Sequence, residues 1–416
     1  MSARTLIGAH RAVEALLETL PELWQVVRFK GVFDRLDRRN VNLEYEMLSL
    51  RSTGEVVARA EMGGRQEPDD ASLPRYLVAE IGDLVVNPMW LIGGGIGVSR
   101  RAGAVSPDYR VFKPRPSLTP RFIHYLLRSQ PYLDQYLLYT RAQTTFDRRV
   151  QQPDLDNLPL PVPPLDEQRA IADYLDRETA RIDTLIEEQQ RLIEMLRERR
   201  GAVVSAAIGT GWGKARLGHV LAGIKDGTHG SFERLASGEG RPLLGARNVM
   251  NGAVVIDGQE SFISDSDAAR IVANGYPLRG DVLLVIVGAT IGKTAVYELD
   301  ESHAFQRSVA FLRPNDVVDS RFLWHQIQAK QFQDELALRA KTSAQPGIYM
   351  GDVVAIPVYV PPIEHQRRIA ADLDHHTAKI DTLIAETERF IELSKERRAA
   401  LITAAVTGQI DVREAA

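Results

Sequence analysis

The chain has 416 residues, more than one hydrophobic core usually organises, which gives a prior of two to three domains. At 44% hydrophobic and 25% charged residues it fits neither a collagen-like, a wholly disordered nor a membrane-embedded class, and the absence of cysteine removes disulfides, thiolate metal sites and cysteine nucleophiles. A net charge of −4 offers no bulk electrostatic case for a polyanionic partner, and with no cysteine and no long apolar run the chain reads as cytoplasmic.

In chain order, the first 160 residues read as a mixed α and β globule. Strand-like runs at Val41–Leu50, Val56–Ala60 and Leu84–Val86 are separated by Gly, Pro, Asn and Asp turns. A helical stretch, Pro120–Leu138, follows, and then a polar loop from Thr140 to Gln152. After Pro163-Pro164 comes a run of about 40 residues with no proline, and with no glycine before Gly201. Its apolar residues Leu175, Ile182, Leu185, Leu192 and Leu196 follow spacings of three, four and seven, which predicts a helical seam. At 1.5 Å per residue the rod spans about 60 Å.

The pattern then starts again. Strands are expected at Val254–Ile256, Val282–Val287 and Val309–Leu312, a helical stretch at Asp319–Leu338, and a polar loop from Lys341 to Met350. Pro361-Pro362 opens a second rod, with Leu373, Ile380, Leu383 and Phe390 at seam positions. From Pro163 and Pro361 the two segments align without a gap for 45 residues, of which 25 are identical, at a constant offset of 198. Weaker landmarks extend the match into the globules: Gly82-Asp83-Leu84 with Gly280-Asp281-Val282, and Arg121-Phe122 with Arg321-Phe322. A period near 200 is far too long for a solenoid. The expected layout is therefore α+β: two similar mixed globules, at 1–160 and 212–360, alternating with helical regions at 161–211 and 361–416. A lone rod would leave its stripe wet, so the two helices are expected to pair antiparallel as a coiled coil with a pseudo-twofold internal repeat, the alternative being an oligomerisation coiled coil whose partner lies in another chain. Gln189, Thr387, Arg199 and Arg397 are polar residues at seam-like positions that would set its register.

Motifs with catalytic overtones fail on spacing. Gly288-Ala289-Thr290-Ile291-Gly292-Lys293-Thr294 has three residues between its glycines where a phosphate loop needs four. Gly93-Gly94-Gly95-Ile96-Gly97 lacks dinucleotide spacing, and Asn87-Pro88-Met89-Trp90 lacks the second proline of an adenine-methyltransferase box. The nine histidines form no metal-binding pair at a known spacing, and no metal site is expected.

With these residues in view the chain resembles the specificity subunit of type I restriction–modification systems. The likeness is carried by Val162-Pro163-Pro164-Leu165-Asp166-Glu167-Gln168-Arg169 with Ile182-Asp183-Thr184-Leu185-Ile186, and by Val360-Pro361-Pro362-Ile363-Glu364-His365-Gln366-Arg367 with Ile380-Asp381-Thr382-Leu383-Ile384. Leu20-Pro21-Glu22-Leu23-Trp24, Asp226-Gly227-Thr228-His229 and the glycines of Thr210-Gly211 and Thr407-Gly408 add to it. The resemblance implies two target-recognition domains, each reading half of a split DNA sequence, and helices that set the spacer. It implies no catalysis and no cofactor in this chain. Two methyltransferase subunits, binding S-adenosylmethionine and methylating adenine N6, would be partners, with restriction subunits in a larger complex. The competing readings are a coiled-coil scaffold that does not bind DNA and a self-sufficient DNA methyltransferase.

The family supplies no position-by-position readers, so candidates for DNA contact come from side-chain chemistry. In the first globule they are Arg35, Arg38, Arg39, Arg100, Arg101, Arg141, Gln143, Thr144, Arg148 and Arg149. In the second they are Lys225, Thr228, His229, Arg247, Asn248, Lys293, Lys341, Ser343 and Gln345.

Overall fold

The computed structural model describes residues 13, 20–63, 70–140, 149–209, 211–236, 238–250, 252–341 and 346–412. The chain divides into two compact units, Met1–Glu188 with Phe390–Ala416, and Gln189–Arg389. Each therefore holds a globule and a portion of both long helices.

The first unit runs β1 (Gln25–Arg28), β2 (Phe33–Leu36), β3 (Leu84–Val86), β4 (Ile96–Val98), β5 (Arg110–Pro114), α1 (Pro120–Leu126), α2 (Gln130–Tyr139) and β6 (Pro159–Val162). Strands β2, β5, β3 and β4 form an antiparallel sheet in that order, and β1 pairs with β6. One face of the sheet carries an aromatic core. Phe29 stacks on Phe33 at 4.2 Å and meets Phe112 edge-on at 5.0 Å, with Phe122, Tyr132 and Tyr136 buried beside them. Full burial of such a ring contributes about 1.5–3 kcal/mol each, so this cluster is the main anchor of the unit. Short ladders, Leu48–Leu50 with Val56–Ala58 and Leu77–Ala79 with Gly103–Val105, pack Leu48, Leu77 and Val105 with Val85 and Val111. Leu165–Ile208 then forms the long helix α3.

The second unit repeats the plan with β7 (Lys214–Arg216), β8 (Leu221–Asp226), β9 (Val282–Val285), β10 (Thr294–Val296), β11 (Val309–Pro314), α4 (Ser320–Gln328), α5 (Lys330–Arg339) and β12 (Pro357–Tyr359). Its sheet has the order β8, β11, β9, β10, and β7 pairs with β12, the same topology as before. Ile363–Val406 forms the second long helix, α6. The expected α+β fold, built from a duplicated mixed domain and two long helices, is what the structure shows.

Three expectations change in detail. The helical stretches are each two helices. An extended, buried Ser129 separates α1 from α2, which carries Pro131 in its first turn, and an extended, buried Ala329 separates α4 from α5. Only Leu48–Leu50 of the run from Val41 is strand, because Leu43 sits at φ 57 in a turn. The helical seam also changes in part: Leu175, Ile182, Leu196, Leu373 and Ile380 lie on it, whereas Leu185, Leu192, Leu383 and Phe390 do not. Leu192, Leu383 and Phe390 are 37%, 49% and 42% exposed, whereas Ile193 and Ile391 are 6% exposed. The observed seam on α3 is Leu175, Thr179, Ile182, Ile186, Gln189, Ile193, Leu196, Arg200 and Val204, and on α6 the same positions 198 residues on. Steps of four and three alternate along it as far as Arg200, the spacing of a heptad, and a further step of four reaches Val204. Polar residues inside the seam are satisfied locally: Thr179, Thr377 and Thr387 donate to the carbonyls of Leu175, Leu373 and Leu383, four residues back, at 2.6–2.8 Å.

The helices pair antiparallel within each unit. In the second, Arg200 holds Asp381 at 2.8 Å and Arg197 holds Glu388 at 3.0 Å, one number rising as the other falls. In the first, Ile171 and Leu175 share a core with Ile402 and Val406, and Arg398 reaches Asp183. Arg200 and Arg398, rather than the exposed Arg199 and Arg397, are the seam arginines. Helix α6 ends in a Schellman turn: Gly408 lies at φ 70 and Gln409 N–H donates to Ala404 O at 2.9 Å. The matching left-handed glycine after α3 is Gly209, also at φ 70, and not Gly211.

Candidate nucleic-acid interface

The repeated Pro-Pro motif has a mechanical role. Gln168 is fully buried at the foot of α3: its Oε1 accepts from Thr119 N–H at 2.8 Å, and its Nε2 donates to Ser117 O and Pro163 O at 2.8 and 2.9 Å. Gln366 does the same for Asp319 N–H, Val317 O and Pro361 O at 2.8–2.9 Å. One amide thus ties each globule, at the loop entering α1 or α4, to its long helix. Sequence reasoning quoted both glutamines without seeing this role. Their identity in both copies amid Leu/Ile, Asp/Glu and Glu/His replacements was the available signal.

A second brace lies one turn on. Arg121 donates to Asp173 at 2.6 Å and also to Asp176, which accepts from Tyr125 Oη at 2.6 Å. In the other unit Arg321 and His325 meet Asp374 at 2.8 Å. Burial lowers the pKa of His325 against the pull of Asp374. The repeated Gly-Asp motifs are turn locks. Gly82 and Gly280 sit at φ 91 and 90, and the buried carboxylates of Asp83 and Asp281 accept from Glu80 and Leu278 N–H at 2.8 and 2.7 Å. Desolvation raises the Asp83 pKa.

That geometry sorts the candidate DNA contacts. Arg38 is committed to the turn lock, pairing with Asp83 and with Glu80 at 2.6 Å, and Asn248 is buried, bridging Gly245 N–H, Val255 O and Glu260 at 2.8–2.9 Å. Asn248 is a correction, because a side chain held inside the fold cannot present its donors to a base edge, whereas Arg38 is paired with 34% of its side chain exposed. Arg247 grips Asp257 through two contacts at 3.0 Å, Arg101 pairs with Glu61 at 2.8 Å, and Arg39 pairs with Asp37. His229 lies 2.6 Å from Asp226, Thr228 accepts from Gly230 N–H at 3.1 Å, and the Lys341 ammonium sits over the Tyr349 ring at 4.3 Å. Arg35, Arg100, Arg149, Lys225 and Lys293 are exposed. Arg141, Gln143, Thr144, Arg148, Ser343 and Gln345 lie outside the described residues.

The phosphate-loop-like segment is the turn of the β9–β10 hairpin, with Gly288 and Gly292 at φ 100 and 93 and no helix after it. Among the described residues there is no group of three or more His, Asp or Glu placed to hold a metal ion, and no helix long and apolar enough to cross a membrane.

A duplicated mixed α/β domain with two long helices is the class this architecture defines. The family model for the type I restriction modification DNA specificity domain matches residues 98–195 and 211–392, and the chain belongs to that family, whose role is DNA sequence specificity. The type I restriction enzyme MjaVIII specificity subunit of Methanocaldococcus jannaschii is 23% identical over 307 residues, 68% of this chain and 69% of its own length. A chain from a solved type I R-M system, described for its complex assembly and conformational transition, matches with TM-score 0.72 at 20% identity, covering 94% of this chain and all of its own. The HsdS subunit from Thermoanaerobacter tengcongensis matches with TM-score 0.51 at 20% identity, over 94% of this chain and 98% of that one.

Proposed function

We propose that each globule reads one half of a bipartite duplex target, and that the antiparallel helices set the unread gap between the halves. In this layout 1–160 and 212–360 are the readers, and 161–211 and 361–416 are the spacer. Methyltransferase subunits dock on the chain, bring S-adenosylmethionine and methylate adenine N6, and restriction subunits join the larger complex. The chain itself is a cytoplasmic, non-catalytic recognition subunit. Its net charge of −4 suits a reader whose phosphate clamp is completed by its partners.

The observation that carries this reading is the matched foot of the two long helices. The same buried glutamine and the same Arg–Asp brace hold a sheet of the same strand order in both units. Two equivalent readers fixed to one helix pair suit a target with two half-sites.

Genome-wide mapping of methylated adenines in the native cell tests it. Inserting seven residues into both helices preserves the seam and adds about 10 Å. The expected result is an unchanged pair of half-sites separated by about three more base pairs, at 3.4 Å each. An unchanged spacer overturns the proposal.

A further inference from the structure

Two motifs with no role so far, Asn87-Pro88-Met89-Trp90 and Gly93-Gly94-Gly95, are one loop of the first unit. Asn87 Oδ1 accepts from Met89 N–H at 3.1 Å, and Trp90 O accepts from Gly93 and Gly95 N–H at 3.1 and 2.9 Å. A Cβ on Gly93 would lie 2.4 Å from the Trp90 ring, so glycine there lets the indole fold back over its own loop. The indole is held in place yet 47% exposed. The chain beyond residue 148 is stitched to the same loop: Val150 N–H donates to Pro88 O at 2.9 Å, and Arg149 Nη2 lies 3.5 Å from Met89 Sδ.

Cations gather at this edge. Arg35 on β2 faces Phe112 across the ladder, so it shares a sheet face with Arg110, two residues along β5. Arg110 Nη2 donates to Val150 O at 3.1 Å, and its Nη1 is buried with no partner among the described residues. Burial first, and then the charges of Arg35 and Arg149, push the Arg110 pKa down, with Asp156 opposing them. Asp108, 3.6 Å from Arg149, is the nearest counter-charge to that residue. Like charges assembled beside a fixed, exposed indole call for a partner with regular negative charge and flat apolar faces, and duplex DNA has both.

We infer that Trp90 is a base-contacting residue of the first recognition domain, and that the exposed Arg35 and Arg149 hold the phosphates flanking that contact, while Arg110 behind them fixes the segment at Val150. This rests on the half-site reading above. The indole supplies an apolar face for a base edge or an opened base step, and the guanidiniums fix the register of the duplex against it.

The test uses the full chain with its methyltransferase partners in the native cell, followed by binding measurements on the purified complex. Trp90→Ala is expected to weaken binding to the native motif by about 5- to 150-fold and to relax the first half-site alone, while Trp90→Phe retains both. Arg35→Gln with Arg149→Gln is expected to reduce the slope of log affinity against log salt by about 2, without changing the second half-site. A bipartite wild-type motif that Trp90→Ala leaves intact in sequence and affinity, or a change confined to the second half, overturns this inference alone. A wild-type motif that is not bipartite overturns the half-site reading and this inference with it.

Discussion

Arg398 grips the Asp183 carboxylate with Nε and Nη2, at 2.8 and 3.1 Å, within the first unit. Its counterpart 198 residues earlier, Arg200, grips Asp381, itself 198 residues after Asp183, with the same two atoms at 2.8 and 3.3 Å. Such reciprocity is the residue-level signature of an isologous pairing made inside one chain. These pairs are partly exposed, with side-chain exposures of 36% and 48% for Arg398 and Asp183, so solvent screens them and their role is register more than stability. Arg398→Ala is expected to cost less than about 1 kcal/mol, and a double-mutant cycle with Asp183→Ala to give a coupling of similar size. Urea midpoints of the four proteins provide the measurement.

The seam gives a sharper contrast. Ile391 is buried in it, while Leu383 is half-exposed outside it. Replacing Ile391 by Ala is expected to cost about 2–4 kcal/mol, whereas Leu383→Ala is expected to cost less than about 1 kcal/mol. Thermal melts of the two variants decide between the observed seam and the line the sequence suggested. A larger loss from Leu383→Ala would restore the latter.

How much was legible follows from the range of each signal. The duplication and both long helices were readable because 45 aligned residues carry local information, from the Pro-Pro stops to the breaker-free runs. The seam was misplaced in part because Thr179, Thr377 and Ser394 occupy buried seam positions with polar side chains, drawing the eye to Leu192, Leu383 and Phe390. The candidate interface was legible only as chemistry. Arg38 and Asn248 look like any solvated donor until the fold places Asp83 and Glu260 against them, 45 and 12 residues away. Arg110 was passed over for the opposite reason, since only strand register brings it onto the same face as Arg35.

Gln366 makes three hydrogen bonds from a fully buried amide, and its removal leaves Asp319 N–H and two carbonyls without those partners. Each buried group left unsatisfied costs about 1–3 kcal/mol, so Gln366→Ala is expected to lose about 3 kcal/mol or more. Gln168→Ala should behave alike. Gln366→Glu keeps the acceptor but sets a negative charge against two carbonyl oxygens. It is expected to be worse than Ala at pH 7 and to recover as the carboxyl protonates on acidification. Denaturant titrations at pH 7 and pH 5 check both statements. A Glu variant as stable as wild type at pH 7 would show that the amide does not work as a clamp.

His124 on α1 provides a pH-dependent test of the same packing. Burial, reinforced by the nearby charges of Arg128 and Arg100, lowers its pKa to about 4, against 6.5 for a free side chain. Between these values the unfolded chain binds the proton and the folded chain does not. Stability is therefore fully present above pH 6.5 and is lost as pH falls toward 4. Two and a half pH units at 1.36 kcal/mol each set a ceiling of about 3 kcal/mol, and partial solvent access reduces it. Between pH 7.5 and pH 5 the wild type is expected to lose about 1–2 kcal/mol more than His124→Gln, whose amide does not titrate. Urea midpoints of both proteins at the two pH values measure the difference. Equal losses would mean that His124 takes up its proton in the folded chain as readily as in the unfolded one.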